Sequence, residues 1–393
     1  MPWNSDACIV GLGETEYVKQ GEMTDRSEFE LACEAIENAA GDAGVDIEDV
    51  DGFSSYANDR NKGSLVADAL GIPEVKFSNK VWGGGGCGGS AAVMNAAMAV
   101  ESGAAEYVVA YRALCQGQFG RRGQTQGIDY AEGTDAFAHS LGLETPPQMY
   151  ALPAQRYMHE YDVPQEHLGH VALTSRAHAN RNPRAVMSDR EMTMEEYMDS
   201  PPITDPYKLY DCCLESDGAC AVLVTSAENA ADLPQPAVEI TSAAQGGGPG
   251  WGSGVLSSHN MPLEDYPTSN AARVADRLFE SAGLTPDDID VAQLYENFTG
   301  MVLMTAEDYG FAPRGEAGEL FVDGNAIGPD ADLPINTSGG NLSEAYIHGF
   351  NLVVEAARQV RGTSPTQVDD VEYSLVASGP GVTPHSGLIL SPA

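Results

Sequence analysis

Apolar and polar positions fall into two kinds of block along this chain. Short apolar runs close on glycine or a polar cluster, as buried strands do, and longer stretches repeat apolar residues at helical spacing. Cys8–Gly13 is a strand and turn of the first kind. Asp25 to Ala43 has the helical pattern, with Asp25 or Ser27 as its N-cap. Val50–Tyr56 predicts a second strand, Ser90–Glu101 a helix rich in Ala and Met, and Tyr107–Tyr111 a third strand. Such alternation argues for a largely parallel sheet covered on both faces.

Residues 113–206 break the pattern. They are polar, punctuated by Gly and Pro, and predict helices around Pro153–Tyr161 and Gln165–Asn180. We read them as an insertion that caps the sheet and shapes the entrance to a site. Ser216–Val224 returns to a buried strand, and Ala230–Pro236 has the composition of a linker.

The second part repeats the theme. Val238–Ser242 predicts a strand, Ser269–Ser281 a helix, Ser343–Arg361 a long helix, and Glu372–Val376 and Ser386–Leu390 the last strands. The stretch from Ala43 to Asp51 (Ala-Gly-Val-Asp-Ile-Glu-Asp-Val-Asp) recurs as Ala282 to Asp290 (Ala-Gly-Leu-Thr-Pro-Asp-Asp-Ile-Asp). Each copy leads into a strand ending in tyrosine, Tyr56 or Tyr295. The expected organisation is two pseudo-equivalent halves, 1–232 and 233–393, which would set equivalent helix ends face to face.

Composition narrows the function classes. Hydrophobic residues make up 42% of the 393 positions, enough for a globular core. The net charge is −38 and there are five lysines, Lys19, Lys62, Lys76, Lys80 and Lys208. No basic patch exists to neutralise phosphates, so nucleic acid is not an expected partner. An acidic, lysine-poor surface suits a salt-rich cytosol, where self-repulsion is screened, and points to a halophilic source. No apolar run is long enough to span a bilayer, and the first residues lack the features of a signal peptide. Seven cysteines at irregular spacing read as reduced thiols, and the protein is expected in the cytoplasm. His159, His167, His170 and His178 fall on the cap helices, but Thr174 interrupts any helical ligand set, so no metal site is expected.

Three stretches stand out chemically: Trp82–Ser90, with its run Gly83–Gly86; Gln293–Thr299; and Asn336–Gly349. Each lies where a predicted strand hands over to a helix, and such junctions present backbone N–H groups that can hold an oxyanion. We expect them to form one pocket for an acyl thioester. Together with Arg156–Tyr161 (Arg-Tyr-Met-His-Glu-Tyr), Asn180–Pro183 (Asn-Arg-Asn-Pro) and Ser216–Ala219 (Ser-Asp-Gly-Ala), they make the chain resemble the thiolase superfamily over nearly its whole length. The narrower likeness is to the sterol-carrier-protein-x and lipid-transfer-protein branch. The resemblance implies a layered αβαβα fold and a homodimer. It also implies a small OB-fold, zinc-ribbon partner that docks on the dimer to form a heterotetramer.

The departures from the family are informative. The family's nucleophile pattern, Cys-Ala-Ser-x-x-x-Ala, falls on Gly86–Ala92, which puts glycine at the nucleophile position. Cys87 is one residue late, and one residue on a helix turns a side chain by ~100°. The family's His-Asp-Cys-Phe is here Tyr295-Glu296-Asn297-Phe298. Its catalytic His falls on Tyr346, and its second Cys on Ala377, followed by Ser378-Gly379-Pro380-Gly381.

What remains is two phenols and the backbone donors of the glycine turns. That set suits retro-aldol cleavage of a β-hydroxyacyl-CoA, with an enolate and no covalent step. The likeness points the same way, since a sub-branch with paired tyrosines cleaves steroid side chains. Tyr295 and Tyr346 are the expected acid/base pair, with His348, Glu296 and Cys87 as candidate assistants. Gly85, Gly86, Gly340 and Gly379 are the expected oxyanion and substrate contacts. No covalent cofactor is expected; coenzyme A enters as the substrate thioester. Two rival readings stand: a β-ketothiolase using Cys87, and a non-catalytic acyl-CoA-binding subunit.

Overall fold

The computed structural model describes residues 3, 5–57, 59–82, 85–119, 133–248, 266–379, 381 and 384–393. Gly83, Gly84 and Pro380 of the pocket motifs lie outside these residues, as do 120–132 of the expected cap. Nine main strands are β1 (Ala7–Glu14), β2 (Gly52–Tyr56), β3 (Phe77–Val81), β4 (Val108–Cys115), β5 (Ser216–Ser226), β6 (Val238–Gly246), β7 (Val291–Leu294), β8 (Ser374–Ser378) and β9 (His385–Pro392). The helices that matter here are α1 (Glu28–Ala43), α2 (Gly63–Leu70), α3 (Gly88–Glu101), α4 (Pro146–Tyr161), α5 (Gln165–Ala179), α6 (Ala272–Ala282), α7 (Thr299–Asp308) and α8 (Phe350–Arg361).

The strands form one sheet in the order β7-β8-β9-β6-β1-β5-β4-β2-β3, with Val18–Lys19 adding on to β5. The first five strands thus run third, second, fourth, fifth, first. The remaining four repeat that order, and an isolated bridge between Ala292 and Ile335 stands where the missing third strand would lie. The two first strands, β1 and β6, pair antiparallel at Cys8–Glu239 and Ile9–Val238, joining the halves.

The sheet is mixed rather than largely parallel. β2/β3, β2/β4 and β7/β8 are parallel; the other main pairs are antiparallel. Strand–helix–strand units force parallel neighbours only when one helix makes the crossover. The long excursion between β4 and β5 releases that constraint, and β5 returns antiparallel to β4.

Strand alternation sets the layers. In β5, Ala219, Ala221 and Leu223 face an outer core beneath α1, whereas Cys220, Val222 and Val224 face a central core. In the second half, Leu375, Ala377 and Ile389 face another outer core, and Val376, Leu388 and Leu390 the central one. The central layer holds α3 and α8, which touch strands of both halves. With α1 outside the first half of the sheet and α6 outside the second, the order is αβαβα. α1 starts at Ser27, whose hydroxyl accepts from the Glu30 N–H at 3.2 Å while the Glu30 carboxylate accepts from the Ser27 N–H at 2.7 Å. It packs so tightly on β1 that a Cβ on Gly11 or Gly13 would strike the carbonyls of Ala39 and Ala35.

Two helices differ from the expectation. α4 begins at Pro146, not near Pro153, because Pro146 and Pro147 open its first turn under a Thr145–Gln148 capping box. The long helix expected from Ser343 begins only at Phe350. Gly340–Glu344 forms a single wide turn, Ala345 is extended, and His348 and Gly349 sit at φ 52° and 72°, which no right-handed helix admits. Tyr346 and His348 therefore sit on a loop ahead of the helix.

Candidate active site

The N-termini of α3 and α8, one from each half, converge in the central layer. A Cβ on Gly89 would lie 3.7 Å from the Gly349 carbonyl oxygen. Ser378 and Ser386 satisfy part of the α3 end: the Ser90 and Ala91 N–H groups donate to their hydroxyls at 3.3 and 3.2 Å. The Ser386 hydroxyl also donates to the Cys87 carbonyl at 2.6 Å. The Gly85–Gly89 turn leads into this end.

Tyr295, directly after β7, is buried and passes its ring across Gly86. A Cβ at position 86 would overlap the Tyr295 ring and hydroxyl, and a Cβ at position 349 would overlap the same Cδ2–Cε2 edge of that ring. Glycine at both places is what lets the phenol enter. The Tyr295 phenol, ring edge and oxygen together, therefore occupies the space that a side chain on residue 86 would fill. It donates to the Tyr346 hydroxyl at 3.0 Å, with the rings 6.4 Å apart and tilted by 64°. Burial, and secondarily the neighbouring Tyr346, push the Tyr295 phenol far above its ordinary range. Tyr346 is half-buried. The Ser216 hydroxyl holds its backbone on both sides, accepting from its N–H at 2.8 Å and donating to its carbonyl at 3.3 Å.

Cys87 is buried at the start of α3, packed against Gly379, and burial raises its thiol to about 12. Glu296 accepts from the Asn341 N–H at 2.7 Å and its side-chain amide at 3.2 Å, and lies hard against Gly340. It anchors the glycine turn, and burial lifts its carboxyl to about 8. The Gly340 N–H is directed to the Ser338 hydroxyl at 3.4 Å. Asn182 braces the same turn, donating to the Ser338 carbonyl at 3.0 Å and to Glu344 at 2.9 Å.

His348 is buried, its ring perpendicular to that of Tyr346 at 5.2 Å and stacked on Tyr56 at 6.2 Å. Its Nδ1 accepts from Arg112 Nε at 3.1 Å, and Arg112 Nη1 reaches Asp59 Oδ2 at 2.7 Å. Both of those side chains are fully enclosed. Deleting one partner of such a pair costs about 3–5 kcal/mol.

Sequence reasoning passed over Arg112 and Asp59. The visible signal was one arginine inside the otherwise uncharged run Val108–Cys115, since a lone charge in a buried strand needs a partner. Tyr150 on α4 was also missed. Its ring lies 5.0 Å from Phe298, Asn297 bonds its hydroxyl, and Tyr346 and Cys87 are among its electrostatic neighbours.

Residues 7–228 match the thiolase N-terminal domain and 252–391 the thiolase C-terminal domain-like family. The chain belongs to the thiolase superfamily. Within it the likeness is to the aldolase branch. A steroid side-chain-cleaving aldolase of Thermomonospora curvata is 44% identical, the alignment covering 98% of this chain and 97% of that protein. A 17-hydroxy-3-oxo-4-pregnene-20-carboxyl-CoA lyase of Mycobacterium tuberculosis is 42% identical over 98% and 99%. The solved Ltp2-ChsH2(DUF35) aldolase superposes with a TM-score of 0.90 at 41% identity, covering 100% of this chain and 99% of that one. Human mitochondrial 3-ketoacyl-CoA thiolase, at 14% identity and a TM-score of 0.70, shares the fold. Among the described residues, no helix is long and apolar enough to cross a membrane.

Proposed function

We propose that this chain is a carbon–carbon lyase that cleaves a β-hydroxyacyl-CoA by retro-aldol chemistry, with Tyr346 as base and Tyr295 as acid. The observation that carries the reading is the Tyr295 phenol lying across Gly86, within 3.0 Å of a second phenol. Space that a nucleophilic side chain on residue 86 would need is filled by an acid. Tyr295, buried and donating, keeps its proton; Tyr346 accepts that hydrogen bond, which favours its phenolate.

In the forward step the Tyr346 oxygen takes the β-hydroxyl proton. The C–O bond becomes a carbonyl, the Cα–Cβ bond breaks, and its electron pair enters the thioester enolate. Backbone N–H groups of the Gly85–Gly89 turn hold the enolate oxygen. Tyr295 then protonates Cα, and the proton on Tyr346 crosses the hydrogen bond to restore the pair. The products are an aldehyde or ketone and a shortened acyl-CoA.

The named relatives support the substrate class. C17 and C20 are bonded in a pregnene, so a 17-hydroxy-20-carboxyl thioester is a β-hydroxyacyl-CoA. We extend the reading to a homodimer that carries a small OB-fold, zinc-ribbon partner, supported by a solved relative whose name couples two proteins. Tyr295→Phe and Tyr346→Phe, assayed on a β-hydroxyacyl-CoA, should each lose ~10²–10⁴-fold in kcat, while Cys87→Ala keeps near-full activity. The opposite pattern, with Cys87 essential and the tyrosines dispensable, would establish the β-ketothiolase instead.

A further inference from the structure

The mechanism above leaves a buried charged chain unused. It runs from Asp59 through Arg112 to His348, beside Tyr346. Asp59 is pinned at both oxygens: Oδ1 accepts from the Asn61 N–H at 2.7 Å, and Oδ2 from Arg112 at 2.7 Å and the Ala113 N–H at 3.3 Å. Arg112 then points Nε at His348 Nδ1, 3.1 Å away. A guanidinium does not give up its proton in a protein, so this contact requires a bare Nδ1 on the imidazole. The ring proton must then sit on Nε2, and a second ring proton would set an imidazolium N–H against a guanidinium N–H.

We propose that Asp59 and Arg112 are positioning residues that lock His348 as the neutral, Nε2-protonated imidazole. In that form the ring, 5.2 Å from the Tyr346 ring, carries a hydrogen-bond donor and no base. This inference rests on the reading of Tyr346 as the base, whose phenolate such a donor favours.

Backbone geometry fits the assignment. His348 sits at φ 52°, uncommon for a non-glycine residue although histidine enters this region more readily than most. The restraints are the Arg112 contact, the stacked Tyr56 ring, and the Tyr56 hydroxyl, which donates to the His348 carbonyl at 3.4 Å. Among the described residues, the titratable groups around the ring are Arg112 on β4, Tyr56 at the end of β2 and Tyr346 on its own loop. Asp59 and Lys80 lie behind Arg112, with Lys80 donating to the Asp59 carbonyl at 2.6 Å, and Cys87 and Cys220 lie beyond Tyr56.

The test is nitrogen NMR of the whole chain labelled at its eight histidines, with His348 identified by its loss in His348→Asn. The expected result is the pattern of a neutral Nε2–H ring that does not move between about pH 5.5 and 9. A His348 that titrates near ~6.5, or that carries its proton on Nδ1, overturns the proposal. In the paired variant Asp59→Asn/Arg112→Met, which leaves no orphaned charge, His348 should titrate, and kcat/KM should gain an acid limb at the same pH. An unchanged kcat/KM profile in that variant would overturn the positioning role. His348→Asn, which tolerates the left-handed backbone and can accept from Arg112 but carries no group at the Nε2 position, should lose ~10²-fold, as His348→Ala does; activity within a few-fold of wild type in His348→Asn would also count against it. The NMR readout is made on the resting protein. It therefore fails separately from the aldolase reading, which Tyr346→Phe turnover tests.

Discussion

Gly86→Ala puts the tyrosine arrangement under direct strain. The added methyl would overlap the Tyr295 ring, whose Cδ2–Cε2 edge is already crowded by the Gly349 backbone. The phenol must swing out of the 3.0 Å contact with Tyr346, or the Gly85–Cys87 turn must shift away. Overpacking of this kind costs about 1–3 kcal/mol of stability. A displacement of about 1 Å at a reacting group costs on the order of 10²-fold in rate. We therefore expect kcat/KM to fall ~10²-fold or more with the fold retained. Gly85→Ala is the control. A Cβ there meets nothing, and the φ of 61° makes the substitution cost only backbone strain. The assay is release of carbonyl product from a β-hydroxyacyl-CoA, run with Tyr295→Phe and with the Gly86→Ala/Tyr295→Phe double variant. If both changes act on the same phenol, the double variant should be no worse than the worse single one. Gly86→Ala activity within a few-fold of wild type, or losses that multiply, would refute the reasoning.

Three further outcomes follow from the same structure. With its thiol raised to about 12, Cys87 is almost wholly protonated at pH 8, so iodoacetamide should leave it unlabelled in the native protein by mass spectrometry and leave turnover intact. Glu296 has a folded-state pKa of about 8, above its unfolded value of ~4.3. Its native carboxyl thus binds more protons than the unfolded one between those values, and its contribution to stability falls as pH rises through that window. Denaturant midpoints of Glu296→Gln across pH 5–9 should show a shallower decline than wild type. With a net charge of −38, added KCl should raise the Tm by screening self-repulsion, and a Tm flat from low to molar salt would count against a halophilic surface.

Much of this protein was legible in the chain. The apolar blocks located most core strands, because strands buried on both faces show as continuous apolar runs wherever they lie. The echo between residues 43–51 and 282–290 marked two related segments, and both lead into strands that end beside the pocket. Tyrosines in place of the family's polar positions, and glycine in place of its nucleophile, marked out the pocket residues. Strand direction was not legible, since the return of β5 depends on how a long excursion folds back. Nor was the start of α8, which two left-handed residues delay to Phe350. Arg112 could be noticed as a charge inside a buried strand, but its partners, at positions 59 and 348, are distant in sequence. Residue type is local information, so the chain itself stated which phenols, glycines and carboxylates were present. Distance is a property of the packed layers. Only the meeting of two helix ends in the central layer put one phenol across Gly86 and the other within a hydrogen bond of it.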